Sequence, residues 1–106
     1  MRVLFDQGTP VPLRRVLTQH EIVTAHERGW SRLKNGELLD CVEKEEFAIL
    51  VTTDTNLKYQ QNLASRGIAI VVLTTTSWPR IQRGVDAVVA TVVSAATGSY
   101  REVEVP

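Results

Sequence analysis

The sequence predicts an α/β domain in which a mostly parallel sheet of about five strands lies between two helical layers. Two observations lead to this prediction. Short apolar runs end abruptly in polar residues, as strands buried on both faces do. These runs alternate with segments of helical periodicity, which implies parallel pairing through right-handed crossovers. At 106 residues the chain is long enough for one core, so we expect a single domain spanning residues 1–106.

Composition narrows the class of protein. A hydrophobic fraction of 43% and a charged fraction of 23% are typical of globular domains. Because 12 basic residues balance 12 acidic ones, any nucleic-acid surface must be local. The single cysteine, Cys41, excludes an intrachain disulfide, and no apolar run approaches the ~20 residues that a transmembrane helix needs. We therefore expect a cytoplasmic protein without a membrane partner.

The first third of the chain contains two predicted strands. Arg2–Phe5 is an apolar run that leads into the turn at residues 6–8. Thr9 is the predicted cap of a helix whose first position is Pro10, where the missing amide hydrogen costs nothing. The second strand is predicted at His20–Thr24.

The middle of the chain predicts a helix followed by the central strand. Asn35 is the predicted N-cap of the helix, which ends near Glu46. The almost wholly apolar run 47–51 then predicts a strand buried on both faces. This run turns polar at Thr52 and ends in Asp54, where a loop begins.

The last part of the chain predicts two helices and two strands. A helix is expected over Asn56–Ser65, with Gly67 as its terminator, before a buried strand at Ile68–Leu73. Ser77 is the predicted cap of the final helix, and Tyr100–Val105 alternates like a half-exposed edge strand. The final helix has one apolar stripe at helical spacing, formed by Ile81, Val85, Val88, Val89, Val92 and Val93.

Acidic residues follow two of the buried strands. Asp6 and Asp54 should emerge at the same edge of a parallel sheet, and Glu37 follows the second strand toward that edge. Such a cluster suits Mg²⁺ or Mn²⁺, which support phosphodiester cleavage. Each acid also has a simpler interpretation: an aspartate after a strand is often a turn former, and a glutamate in a first helical turn favours the helix dipole.

Residues 3–10, 35–39 and 50–57 are three short segments, each containing one of the acids Asp6, Glu37 and Asp54. These segments resemble blocks of the small PIN-like proteins of bacteria. The resemblance implies a PIN-like fold, a metal-dependent ribonuclease site and membership in a toxin–antitoxin pair, with an antitoxin protein as partner. It also implies that Asp6, Glu37 and Asp54 are catalytic metal ligands.

Two positions depart from the family pattern. Asn35 and Asn56 stand where the family usually has acids. Asn56 is expected to serve as an auxiliary ligand through its carbonyl oxygen, but an amide lowers the charge of the site and hence its metal affinity. The site is therefore either active or catalytically weakened.

Several side chains are candidates for RNA contacts near this edge. Trp78 and Tyr59 could stack on unpaired bases or simply pack against the protein. His20 and His26 have no matching nucleophile, so triad chemistry is not predicted. The candidate phosphate contacts, which could equally be solvated surface charges, are Arg14, Arg15, Arg32, Lys34, Lys58 and Arg80.

Three functions are consistent with the sequence. The first is an RNA-cutting nuclease of PIN-like type. The second is a PIN-like module that binds RNA or protein without cutting. The third is self-association as a homodimer through the valine-rich last helix or the final strand, because an edge strand offers unpaired backbone groups.

Overall fold

A computed structural model describes residues 1–59 and 63–105 of the chain. It contains one five-stranded sheet in which every neighbouring pair is parallel, with the strand order β2-β1-β3-β4-β5. The strands are β1 (Arg2–Phe5), β2 (Glu21–Thr24), β3 (Ile49–Thr52), β4 (Ala69–Leu73) and β5 (Tyr100–Val103). The predicted α/β fold with about five parallel strands is confirmed.

In the described part of the chain, four α-helices and three short 3-10 segments connect the strands. The helices are α1 (Ala25–Arg28), α2 (Asn35–Lys44), α3 (Trp78–Arg83) and α4 (Val85–Ser94). The 3-10 segments are Val11–Arg15, Thr55–Tyr59 and Leu63–Ser65. Across residues 1–59 and 63–105, no helix combines the length and the apolar character that crossing a bilayer requires.

Two hydrophobic clusters lie on opposite faces of the sheet, because successive strand residues point to opposite sides. Val3 and Phe5 of β1 join the cluster on the face covered by α3 and α4, which we call the α4 face. Leu4 joins the cluster on the face covered by α2, which we call the α2 face. Helices on both faces produce the expected three-layer arrangement.

One crossover departs from the expected right-handed connections. The β1–β2 and β4–β5 connections both pack on the α4 face but run in opposite directions across the sheet, so their hands are opposite. The β2–β3 connection crosses on the α2 face and has the same hand as β1–β2. The β4–β5 crossover therefore differs in hand from the other two, whereas right-handed crossovers are expected throughout. As a result α3 packs beside the 3-10 segment Val11–Arg15.

The predicted helix over Asn56–Ser65 is wrong. The described residues there form two 3-10 segments, and residues 60–62 lie outside the described part of the chain. The side chain of Asp54 accepts a hydrogen bond from the Asn56 backbone N–H at 2.9 Å, which favours a turn over a regular helix. Gly67 consequently does not terminate an α-helix.

Two predicted caps are also wrong. The Thr9 hydroxyl donates to the Val51 carbonyl at 3.1 Å, and Pro10 takes the capping position of a short 3-10 segment. Lys34 occupies the N-cap position of α2, and Asn35 is the first helical residue. The Ser77 cap is confirmed, because its hydroxyl accepts from the Arg80 backbone N–H.

The predicted last helix is divided at Gly84 into α3 and α4. Ile81, Val88 and Val92 are buried as the stripe predicts. Val93, at its end, is 58% exposed. The stripe therefore identifies the core-facing side correctly but extends too far around α4.

Candidate active site at the β1 and β3 strand ends

The strand order places a topological switch point between β1 and β3. From this pair the chain leads outward in both directions, from β1 to β2 and from β3 to β4. In open α/β sheets, ligands bind in the crevice beyond the carboxyl ends of the strands at such a point. Asp6 directly follows β1, and Asp54 follows β3 by two residues. The sequence therefore places one acid at each side of this crevice.

Both acids line one cavity of about 280 Å³. We call it the acidic cavity, and its lining residues are Asp6, Leu33, Lys34, Leu38, Asp54 and Leu57. The predicted convergence of Asp6 and Asp54 is therefore seen in the structure. The three leucines were not predicted as site residues, because apolar residues in such a pattern predict only burial in the core. They make part of the cavity lining apolar.

The hydroxyl of Thr52 links the two acids. It donates to Asp6 Oδ2 at 2.8 Å and accepts from the Asp54 backbone N–H at 3.1 Å, and its residue is fully buried. The Gln7 backbone N–H also donates to Asp6 Oδ1 at 2.7 Å. Because a carboxylate has about four lone-pair positions, both acids retain acceptor capacity toward a further ligand.

The loop between Asp6 and Thr9 requires a glycine. Gly8 has a φ of +95°, a left-handed conformation that side chains disfavour. A Cβ atom there would also lie 3.0 Å from Thr53 Oγ1. The Thr9 backbone N–H closes the turn on the Asp6 carbonyl at 3.1 Å. Gly8 thus allows the chain to turn directly beside the acid.

The surroundings of Asp6 disfavour its charged form. Burial raises the pKa of its carboxyl above the ordinary 3.8, and the charge of Asp54 raises it further. The hydrogen bonds from Thr52 and Gln7 lower the pKa but do not cancel the effect of burial. In the absence of a cation, the folded protein therefore pays an electrostatic cost at neutral pH for ionising Asp6.

We expect the stability of metal-free Asp6→Asn, relative to wild type, to be higher at pH 7 than at about pH 3. The folded state holds the Asp6 proton more tightly than the unfolded state, so wild-type stability falls as pH rises from 3.8 to the raised pKa. Asparagine has no such titration, but it loses an acceptor oxygen toward Thr52 or Gln7, so the change with pH is the readout. Thermal unfolding of both proteins at pH 7 and about pH 3 tests this. A difference that does not change with pH would contradict it.

Glu37 lies beside the acidic cavity without lining it. It is an exposed residue in the first turn of α2, between Lys34 and Leu38, which do line the cavity. Asn56 is also exposed. In the described part of the chain, no group of three or more histidine, cysteine or acidic side chains is arranged to hold a metal. The assignment of Glu37 and Asn56 as ligands stays a prediction.

Lys34 is the basic residue that lines the acidic cavity. Its side chain forms no ion pair within 4.0 Å among the described residues. Arg14 instead donates to the Ile22 carbonyl at 3.0 Å and pairs with Glu27. Arg14 therefore ties its 3-10 segment to β2 and α1, whereas Lys34 has no carboxylate partner in the described part of the chain.

The six other predicted RNA contacts lie outside the lining of the acidic cavity, and one of them, Arg32, is an exposed residue before α2. Lys58 Nζ is 3.9 Å from Glu102 Oε2, and Arg80 donates to the Val105 carbonyl at 3.1 Å. Trp78 is half-buried and packs against the α4-face cluster. Tyr59 is 73% exposed, and Arg15 is exposed on its 3-10 segment. None of these six lines the acidic cavity.

No protein-family model matches the chain, and neither does a curated protein or a solved structure. The resemblance to PIN-like proteins thus rests on residues 3–10, 35–39 and 50–57.

Proposed function

We propose that the protein is a divalent-metal-dependent ribonuclease of PIN-like type. The proposal rests on one observation above all: Asp6 and Asp54 line the same cavity at the switch point between β1 and β3. The three resembling sequence segments include both residues, which supports the same function from the sequence alone.

The two carboxylates fit Mg²⁺ or Mn²⁺. Mg²⁺ is commonly held by one or two carboxylates together with waters and substrate phosphates, so a third protein acid is not required. In the described part of the chain, neither Asp6 nor Asp54 has a basic partner within 4.0 Å. Burial raises the Asp6 pKa most and the charge of Asp54 adds to this effect, so a bound cation would favour the ionised form of both acids. When bound, it supplies charge neutralisation at a phosphate and activation of water.

The protein residues supply position and surroundings. The Thr52 hydroxyl orients the Asp6 carboxylate by donating a hydrogen bond to it. The same hydroxyl positions the Asp54 backbone by accepting a hydrogen bond from its N–H. Leu38 and Leu57 make one side of the cavity apolar, which strengthens electrostatic interactions there. Lys34 can contact a phosphate oxygen of a bound strand. Together these residues would orient an RNA phosphate over Asp6 and Asp54.

A PIN-like module that binds RNA or a protein without cutting is the second candidate. The observation favouring it is the low acid count of the cavity, which has two lining carboxylates, whereas Asn56 replaces an acid of the family pattern. An antitoxin partner and a homodimer stay proposals that come from the resemblance and from the sequence pattern.

RNA cleavage in the presence of Mn²⁺ distinguishes the two candidates. We expect the purified protein to cut single-stranded RNA with Mn²⁺ and to stop when a chelator is added. Binding of RNA without any cleavage in Mn²⁺ or Mg²⁺ would support the binding module instead. If the protein neither bound nor cut RNA, the nuclease and the RNA-binding module would both be contradicted.

A further inference from the structure

A second cavity of about 240 Å³ adjoins the acidic cavity. It lies between the loop after β1 and the end of β2, and we call it the β2 slot. Asp6 lines both cavities, so the two are adjacent at this residue. The remaining lining residues of the β2 slot are Phe5, Gln7, Gly8, Thr9, Val11, Thr24, Ala25 and His26.

The walls of the β2 slot are mostly apolar and its rim is polar. Val11 is 55% exposed, although valine gains from burial, and Ala25 of the same lining is buried. Gln7 and His26 are exposed residues of the lining, and their amide and imidazole groups can form hydrogen bonds. Such a lining suits a weakly polar ring with hydrogen-bonding edges.

We propose that the β2 slot holds an unpaired base of the RNA nucleotide next to the phosphate bound over Asp6 and Asp54. This inference rests on the proposed function and extends it to the form of the substrate. Because Asp6 borders both cavities, a phosphate in one and its neighbouring base in the other are linked by a single nucleotide.

The dimensions of the slot favour a single base. Its volume is below the ~300–1,000 Å³ of sites that enclose drug-sized ligands, so it suits one ring system. A base held in a duplex cannot enter, because it is stacked on both faces and paired along its edge. The protein should therefore prefer single-stranded RNA, with the imidazole of His26 and the side chain of Val11 contacting the base.

Abasic RNA tests the proposal. A set of single-stranded RNAs, each lacking one base at a different position, is compared with the intact strand by fluorescence anisotropy with Ca²⁺ in place of Mn²⁺. We expect wild type to bind one abasic strand roughly tenfold more weakly than the intact strand. The double variant Val11→Ser/His26→Ala should bind intact RNA roughly tenfold more weakly and should not distinguish the two strands.

Val93→Ser is the matched control. Val93 is exposed to a similar extent as Val11, 58% against 55%, but lies on α4 away from the slot. It should behave as wild type, and unfolding midpoints should show that all variants are folded. Equal binding of intact and abasic strands by wild type would overturn the proposal that the β2 slot holds a base. Discrimination that persists in the double variant would overturn it as well. Discrimination without cleavage would refute only the nuclease, because binding is measured independently of turnover.

Discussion

Replacing either Asp6 or Asp54 by asparagine is expected to lower Mn²⁺-dependent RNA cleavage by at least about 100-fold. Each change removes one of the two carboxylates that line the acidic cavity and leaves an amide of nearly the same shape. Initial rates on a single-stranded RNA, measured at saturating Mn²⁺ for wild type, give the comparison. The loss should be similar for the two variants, because both acids serve the same ion.

The matched control for these variants is Asp86→Asn. Asp86 is an exposed acid in the first turn of α4, remote in sequence from both strand ends. Its variant should cleave at the wild-type rate. Unfolding midpoints at neutral pH should show that every variant is folded, so that a loss of cleavage reports on the site. Retained cleavage in both Asp6→Asn and Asp54→Asn would contradict the assignment of the acidic cavity as the active site.

Gly98→Ala is expected to destabilise the fold by about 2–4 kcal/mol, as the sum of backbone strain and steric overlap. Gly98 has a φ of +83°, and a Cβ atom there would lie 2.7 Å from the Ala64 carbonyl oxygen. Its backbone N–H donates to the Ile68 carbonyl at 2.9 Å, so the chain cannot move away without losing this bond. The substitution therefore disturbs the approach to β5.

Gly29→Ala separates the two causes. Gly29 has a similar φ of +77°, but a Cβ atom there would meet nothing within 4 Å. Gly29→Ala should lower the free energy of unfolding only by the backbone strain, about 1 kcal/mol. Urea denaturation of both variants gives the difference in the free energy of unfolding. Equal losses would contradict the close packing of residue 98 against residue 64.

The strands and the positions of two acids could be predicted from the sequence. Buried strands leave a strong local signal, because runs such as 47–51 are apolar at nearly every position. An acid directly after such a run must lie at the strand end, and this places Asp6 and Asp54 at one edge of a parallel sheet. Their meeting in one cavity also needed β1 and β3 to be neighbours, which the structure shows.

The remaining features depend on tertiary placement. The cavity walls at Leu33 and Leu57 have the same local pattern as core residues, so only the folded chain identifies them. Glu37 and Leu38 are consecutive, yet only Leu38 lines the cavity, because α2 presents neighbouring residues in different directions. The hand of the β4–β5 crossover likewise has no local sequence signal.

Isothermal titration with Mn²⁺ tests most directly whether Asp6 and Asp54 share an ion. We predict one ion bound per chain in wild type, with binding lost in Asp6→Asn and in Asp54→Asn and retained in Asp86→Asn. Glu37→Gln belongs in the same series, because weakened binding would identify Glu37 as a third ligand. Undiminished Mn²⁺ binding in both cavity variants, or none by wild type, would contradict a metal site between β1 and β3.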